Sequence, residues 1–159
     1  MTLTQQIAKQ FRDVHFGGNW TDVNLKDTLV DISWERAITE VNNLNTIAAL
    51  VFHINYYVSY VLKVLQGEPL TANDKFSFDL SPITSSGDWQ KLVNKALTEA
   101  ELFALQIEKL DEAKLFEDFI DPKYGNYYRN ILGIVEHTHY HLGQISLIKK
   151  ILSETKVER

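Results

Sequence analysis

Three of the five histidines in this 159-residue chain fall between positions 137 and 141, in the run Glu136-His137-Thr138-His139-Tyr140-His141-Leu142-Gly143-Gln144. On a helix His137 and His141 lie one turn apart on a shared face, and His139 points to the other side. Two imidazoles at that spacing supply half of a site for one metal ion. A third ligand has to come from elsewhere in the chain. The candidate is His53, alone in the middle of the most apolar stretch, 46–65. His15 and His139 lie off these faces and are expected at the surface. Glu136 faces about a quarter-turn from His137, so this is not the His-Glu-x-x-His helix in which a glutamate serves as general base.

The elements that must position these residues are helices, because glycine and proline are sparse, at seven and three. A first helix is predicted from Leu3, Ile7, Phe11 and Val14, capped by Thr2 or Thr4 and stopped by Gly17-Gly18. One or two short helices follow over 25–40, with Ser33 capping the second. Three asparagines in 42–45 make a break. The second main helix runs from about Asn45 to Gln66 and ends at Gly67 and Pro69. His53 sits on its seam Thr46, Leu50, His53, Tyr57, Tyr60, Val64. The adjoining seam, Ile47, Val51, Ile54, Val58, Val61, Leu65, is wholly apolar, and Phe52 and Tyr56 add a third apolar side. Residues 70–87 read as a packed surface loop. Asp88 opens a third main helix along Trp89, Val93, Ala96, Ala100, Phe103, Ile107 and Leu110, continued or restarted over 111–119. After a turn at 121–126, the last helix carries the seam Asn130, Ile134, His137, His141, Gln144, Ile148, Ile151. Its inward face is thus apolar at both ends and polar in the middle. The expectation is one all-α domain over 1–159, a four-helix bundle.

Charge and composition exclude several functions. The formal net charge is −5 and no basic run occurs, which argues against a nucleic-acid partner. Without cysteine there are no disulfides, thiolate ligands or cysteine nucleophile, as suits a cytoplasmic protein. The polar, periodic N-terminus does not read as a signal peptide. No residue between Val41 and Leu62 carries a formal charge, yet Asn42, Asn43, Asn45, His53, Asn55 and Ser59 make a poor lipid-facing surface. The second main helix is therefore expected deep in a bundle or in a dimer interface, not in a membrane.

A lone histidine on an apolar seam is more often a hydrogen-bonded core residue than a ligand. Here two helices each place histidine at mid-seam. Crowded imidazoles repel when charged and cost desolvation when unpaired, and a shared divalent ion removes both problems.

The spacing of His137 and His141, followed by Leu142-Gly143-Gln144-Ile145, resembles the DinB/YfiT-like proteins. So does His53 behind the small-apolar run Ile47-Ala48-Ala49-Leu50, and the helix pattern is similar across essentially the whole chain. The resemblance implies an up-down-down-up bundle with a long crossover between helices two and three, and frequent homodimers. It implies bound nickel or zinc with His53, His137 and His141 as ligands. Activity is implied less sharply: some members are thiol-dependent transferases or isomerases, and others are labelled hydrolases. The expectation is a metal-dependent enzyme, a thiol-dependent transferase or hydrolase of unnamed substrate. The rival is a non-catalytic metal- or ligand-binding dimeric bundle. A low-molecular-weight thiol would have to come from outside this cysteine-free chain. Tyr57 and Gln144, each about one turn from a candidate ligand, either face the open coordination position or merely support the seam.

Overall fold

Thr2 begins the first helix, α1 (Leu3–Phe16), with a reciprocal cap. Its hydroxyl accepts the Gln5 amide at 3.2 Å while its own amide donates to Gln5 Oε1 at 3.0 Å. The helix ends where Gly17 and Gly18 take φ of 113° and 97°, a region costly for any residue with a side chain. The computed structural model describes residues 1–154. Among them it is all-helical, with six α-helices, no strand, and short 3-10 turns between the later helices. The short helices α2 (Leu25–Leu29) and α3 (Trp34–Ala37) are capped by Asn24 and Ser33. After a turn at 41–44, with Asn42 at φ 50°, Thr46 caps α4 (Ile47–Leu65).

Helix α5 (Ser86–Glu108) starts slightly earlier than the sequence predicts. Ser85, not Asp88, is its cap. Asp88 is the reciprocal acceptor, its carboxylate receiving the Thr84 amide at 3.1 Å and the Ser85 hydroxyl at 2.8 Å. The charged stretch after α5 restarts as a 3-10 turn (Glu112–Phe116), and α6 (Tyr127–Glu154) closes the described chain.

Helix α4 packs against α5 and α6, and α1 packs against the same two helices. Ile47, Leu50, Val51, Ile54 and Val58 of α4 are each no more than 1% exposed. Full burial of such a side chain contributes about 1.5–3 kcal/mol. By length and composition α4 would suffice to cross a membrane, but 67% of it is buried against the protein's own helices. The Trp89 indole N–H donates to the Ile32 carbonyl at 2.9 Å, fixing α5 to the α2–α3 connection. Arg12 ties α1 to α5 through Glu101 and Glu108.

The third apolar side of α4 is largely taken up by the chain itself. Tyr56 is buried, donating to the Asn73 carbonyl at 2.8 Å and accepting the Asn73 amide at 3.0 Å. Leu70, Leu80 and Ile83 pack on the core beside it. The connection between α4 and α5 is thereby pinned along α4.

His15 departs from the sequence expectation of a surface residue. It is 1% exposed, with Nδ1–H donating to the Phe11 carbonyl at 2.9 Å and its ring 4.2 Å from that of Phe11. The inward face of α1 is wider than a single seam, so Phe11, Val14 and His15, at i, i+3 and i+4, are all covered. Burial pushes the His15 imidazole down to about 4, against the Phe11 hydrogen bond, and the nearby His139 adds to the depression. A depressed histidine contributes stability that is complete above its unfolded value of about 6.5 and is lost as pH falls toward the folded value. Between pH 7 and 4 the wild type should lose about 3 kcal/mol more than a His15→Leu variant, read from urea midpoints. Identical pH profiles would show that His15 is not buried in the neutral form.

Candidate metal centre

The contact between α4 and α6 brings His53, His137 and His141 together as the sequence anticipates. One ring nitrogen from each lies within 4.8 Å of the others. Nε2 of His53 and Nε2 of His137 are 3.1 Å apart, a separation that two nitrogens can span when each binds one ion at about 2.0–2.1 Å. His53 and His141 are buried and His137 is half-buried. Core apolar residues share the histidine seams, Leu50 on α4 and Ile134 and Ile148 on α6.

Outer partners fix two of the three rings. His53 Nδ1–H donates to the Ser77 carbonyl at 3.1 Å, leaving the Nε2 lone pair free. His141 Nδ1–H donates to Gln144 Oε1 at 2.6 Å, with the same consequence. His137 has no such partner among the described residues: its Nδ1 is buried without a hydrogen bond. If His137 Nε2–H donates to His53, an unpaired acceptor is left in the interior. If both Nε2 atoms present lone pairs, they face each other with nothing between. A divalent ion resolves the second arrangement, and a donor set of imidazoles suits a divalent transition metal.

Burial favours the neutral form of two of these rings, His137 and His53. Burial pushes His137 down to about 4, and His141 and His53 add to the shift. Burial also lowers His53, while its bond to Ser77 and the charge of Asp74 work in the opposite direction. Neutral rings hold available lone pairs, so protons compete weakly with a metal near pH 7.

Tyr57 stands beside the cluster, its ring 5.2 Å from His53 and 4.8 Å from His137. Its hydroxyl donates to Asp74 Oδ1 at 3.1 Å. Burial raises its pKa, with Asp74 adding and Ser77 opposing, so Tyr57 remains a phenol. Gln144 lies in the supporting position, its side-chain oxygen occupied by His141. His139 is half-buried and does not join the three.

Two residues of the site come from the loop at 70–87, which the sequence reading treats as packed surface. Ser77 supplies the carbonyl that orients His53. Phe78 stacks on the His53 ring with centroids 3.9 Å apart and planes 11° from parallel. The signal in the sequence is Phe76, Phe78, Pro82 and Ile83 interrupting a polar background, which gives no measure of where such a loop docks. A cavity of about 630 Å³ opens beside the cluster, reaching it at His137 and Tyr57.

No protein-family model, curated protein or solved structure matches this chain.

Gln144 can be tested alone. Gln144→Leu leaves the His141 Nδ1 proton without its acceptor, and affinity for zinc should fall about 10–100-fold in competition with a chromophoric chelator. Unchanged affinity would mean that this hydrogen bond does not orient the ring for a metal.

Proposed function

We propose that this protein is a divalent-metal-dependent enzyme of the DinB/YfiT-like kind, acting as a thiol-dependent transferase or a hydrolase. The observation that carries the reading is the convergence of three imidazoles, two of them fixed through Nδ1, beside an open cavity. A closed structural site has no use for the cavity, whereas a catalytic site needs an accessible position for water or substrate. His53, His137 and His141 would hold nickel or zinc. When bound, the ion would act as a Lewis acid, bringing a water or thiol to its anionic form near neutral pH.

The chain's own residues do the rest. Ser77 and Gln144 hold the His53 and His141 rings at a fixed angle and tautomer. Phe78 and the apolar seams exclude water from the far side of the cluster. Tyr57, as a phenol at the cavity wall, is placed to orient a bound molecule. In the transferase version the thiol is an external low-molecular-weight one, because the chain has no cysteine.

The main helices α1, α4, α5 and α6 would form an up-down-down-up bundle, with 66–85 as the long crossover, in a cytoplasmic homodimer. With Tyr56 covered and Phe52 half-buried, dimerisation would draw on apolar surface still exposed, including Tyr140 and Leu147 of α6.

The purified protein should bind one cobalt(II) ion per chain. His141→Ala should remove most of that affinity, and His139→Ala should not. Thiol titration of the cobalt form should produce a sulfur-to-metal charge-transfer band if the enzyme is a transferase. Metal-dependent turnover of an ester or amide panel, without such a band, would make it a hydrolase. Absence of both would favour a non-catalytic bundle, and equal loss of cobalt from both histidine variants would remove the site itself.

A further inference from the structure

The cavity beside the histidines has a built interior. Its far end is marked by Arg129 and its near end by His137, both on α6. Gly133 lies between them, four residues from each, so all three share one helix face. Eight residues of helix separate Arg129 from His137 by about 12 Å along the axis. Aromatic side chains of Tyr60, Phe119 and Tyr124 line the space between.

Two residues of the lining define what this space offers a ligand, Arg129 and Gly133. Arg129 makes no ion pair among the described residues. Its guanidinium is steadied by Nη1–H donating to the Tyr124 carbonyl at 3.0 Å. Its stem lies so close to Gly125, itself at φ 76°, that a Cβ there would come within 3.0 Å of Arg129 Cδ. Arg129 thus stands exposed at the cavity mouth, anchored at Nη1 and with donors to spare. Gly133 is the second residue. Glycine inside a helix costs about 1 kcal/mol relative to alanine, and no close packing demands one here. A Cβ on Gly133 would meet nothing within 4 Å. A side chain longer than a methyl at this position would extend into the cavity that Gly133 lines.

We infer that this cavity binds an elongated organic acid, with its carboxylate on Arg129, an apolar or aromatic body over Gly133, and its other end at His137 and Tyr57. The inference names the substrate class of the site proposed above and rests on that reading. A carboxylate suits the cavity better than a phosphate dianion because Asp74 and Glu136 also line it. One arginine opposed by two carboxylates accommodates a single negative charge more readily than two. The planar guanidinium also matches a carboxylate in fork geometry.

The test uses 6-phenylhexanoate, which spans about the 12 Å in question, with 6-phenylhexanol and 6-phenylhexyl phosphate as companions, by calorimetry on the metal-loaded protein. The carboxylate should bind about tenfold or more tightly than the alcohol, as a charge-assisted hydrogen bond predicts, and more tightly than the phosphate. Arg129→Gln should make acid and alcohol bind alike. Gly133→Leu should weaken both by about tenfold or more by filling the cavity. Gly133→Ala, whose methyl meets open space, should raise the melting temperature while weakening binding less. Metal content should be unchanged in all three variants. Equal binding of acid and alcohol, tighter binding of the phosphate, no binding of the acid at millimolar concentration, or full binding by Gly133→Leu would each overturn the inference. Should the protein bind no metal yet bind the acid with this dependence on Arg129 and Gly133, the metal reading falls and the acid-binding cavity stands.

Discussion

Three imidazoles crowded at one helix contact, two buried and one half-buried, are the constraint on which the rest of this structure depends. Protonating any of them there places a charge in a poorly solvated interior beside two other titratable rings. At His137 and His53 burial lowers the pKa and so favours the neutral ring. The fold spends hydrogen bonds from Ser77 and Gln144 on two Nδ1 protons. The arrangement is complete for His53 and His141 and incomplete at His137, whose Nδ1 remains unpaired. Such a cluster is costly if it serves only packing, since apolar side chains of similar size would fill the same volume without that penalty. Directed lone pairs are what it offers in return.

The remaining elements can be understood from what they do for that contact. Apolar seams on α4 and α6 hold the helices together on either side of the polar middle. Helix α5 also packs against α4, and its Trp89 anchors the α2–α3 region. The connection at 66–85 is more than a link between helices. Tyr56 pins it at Asn73, which sets Ser77 and Phe78 against His53 and Asp74 against Tyr57. Loosening that hydrogen bond would disturb one metal-ligand candidate and one cavity wall together.

Much of this was legible in the sequence because the signals are local. Helix seams, the caps at Thr2 and Ser33, the glycine stop after Phe16 and the break at 42–45 each follow from a few neighbouring residues. The pairing of His137 with His141 follows from helical geometry, and His53 from its place at mid-seam. What sequence did not yield is non-local. His15 looks peripheral on a single seam and is covered because α1 presents a broader face. The start of α5 shifts because Ser85 and Asp88 act as a reciprocal pair, not as competing caps. Ser77 and Phe78 have no periodic pattern at all, and their role depends on where Tyr56 fastens the loop. The cavity over Gly133 is likewise invisible until α4 and the 119–124 segment take their places around α6.

The central claim is that the three imidazoles are metal ligands and not merely a neutral hydrogen-bonded cluster. Anomalous scattering from crystals of the zinc-loaded protein, collected on both sides of the zinc absorption edge, tests it most directly. One peak per chain should appear about 2.0–2.1 Å from a ring nitrogen of each of His53, His137 and His141. Crystals soaked in zinc that show no peak among these three rings, or one only at surface carboxylates, would contradict the account.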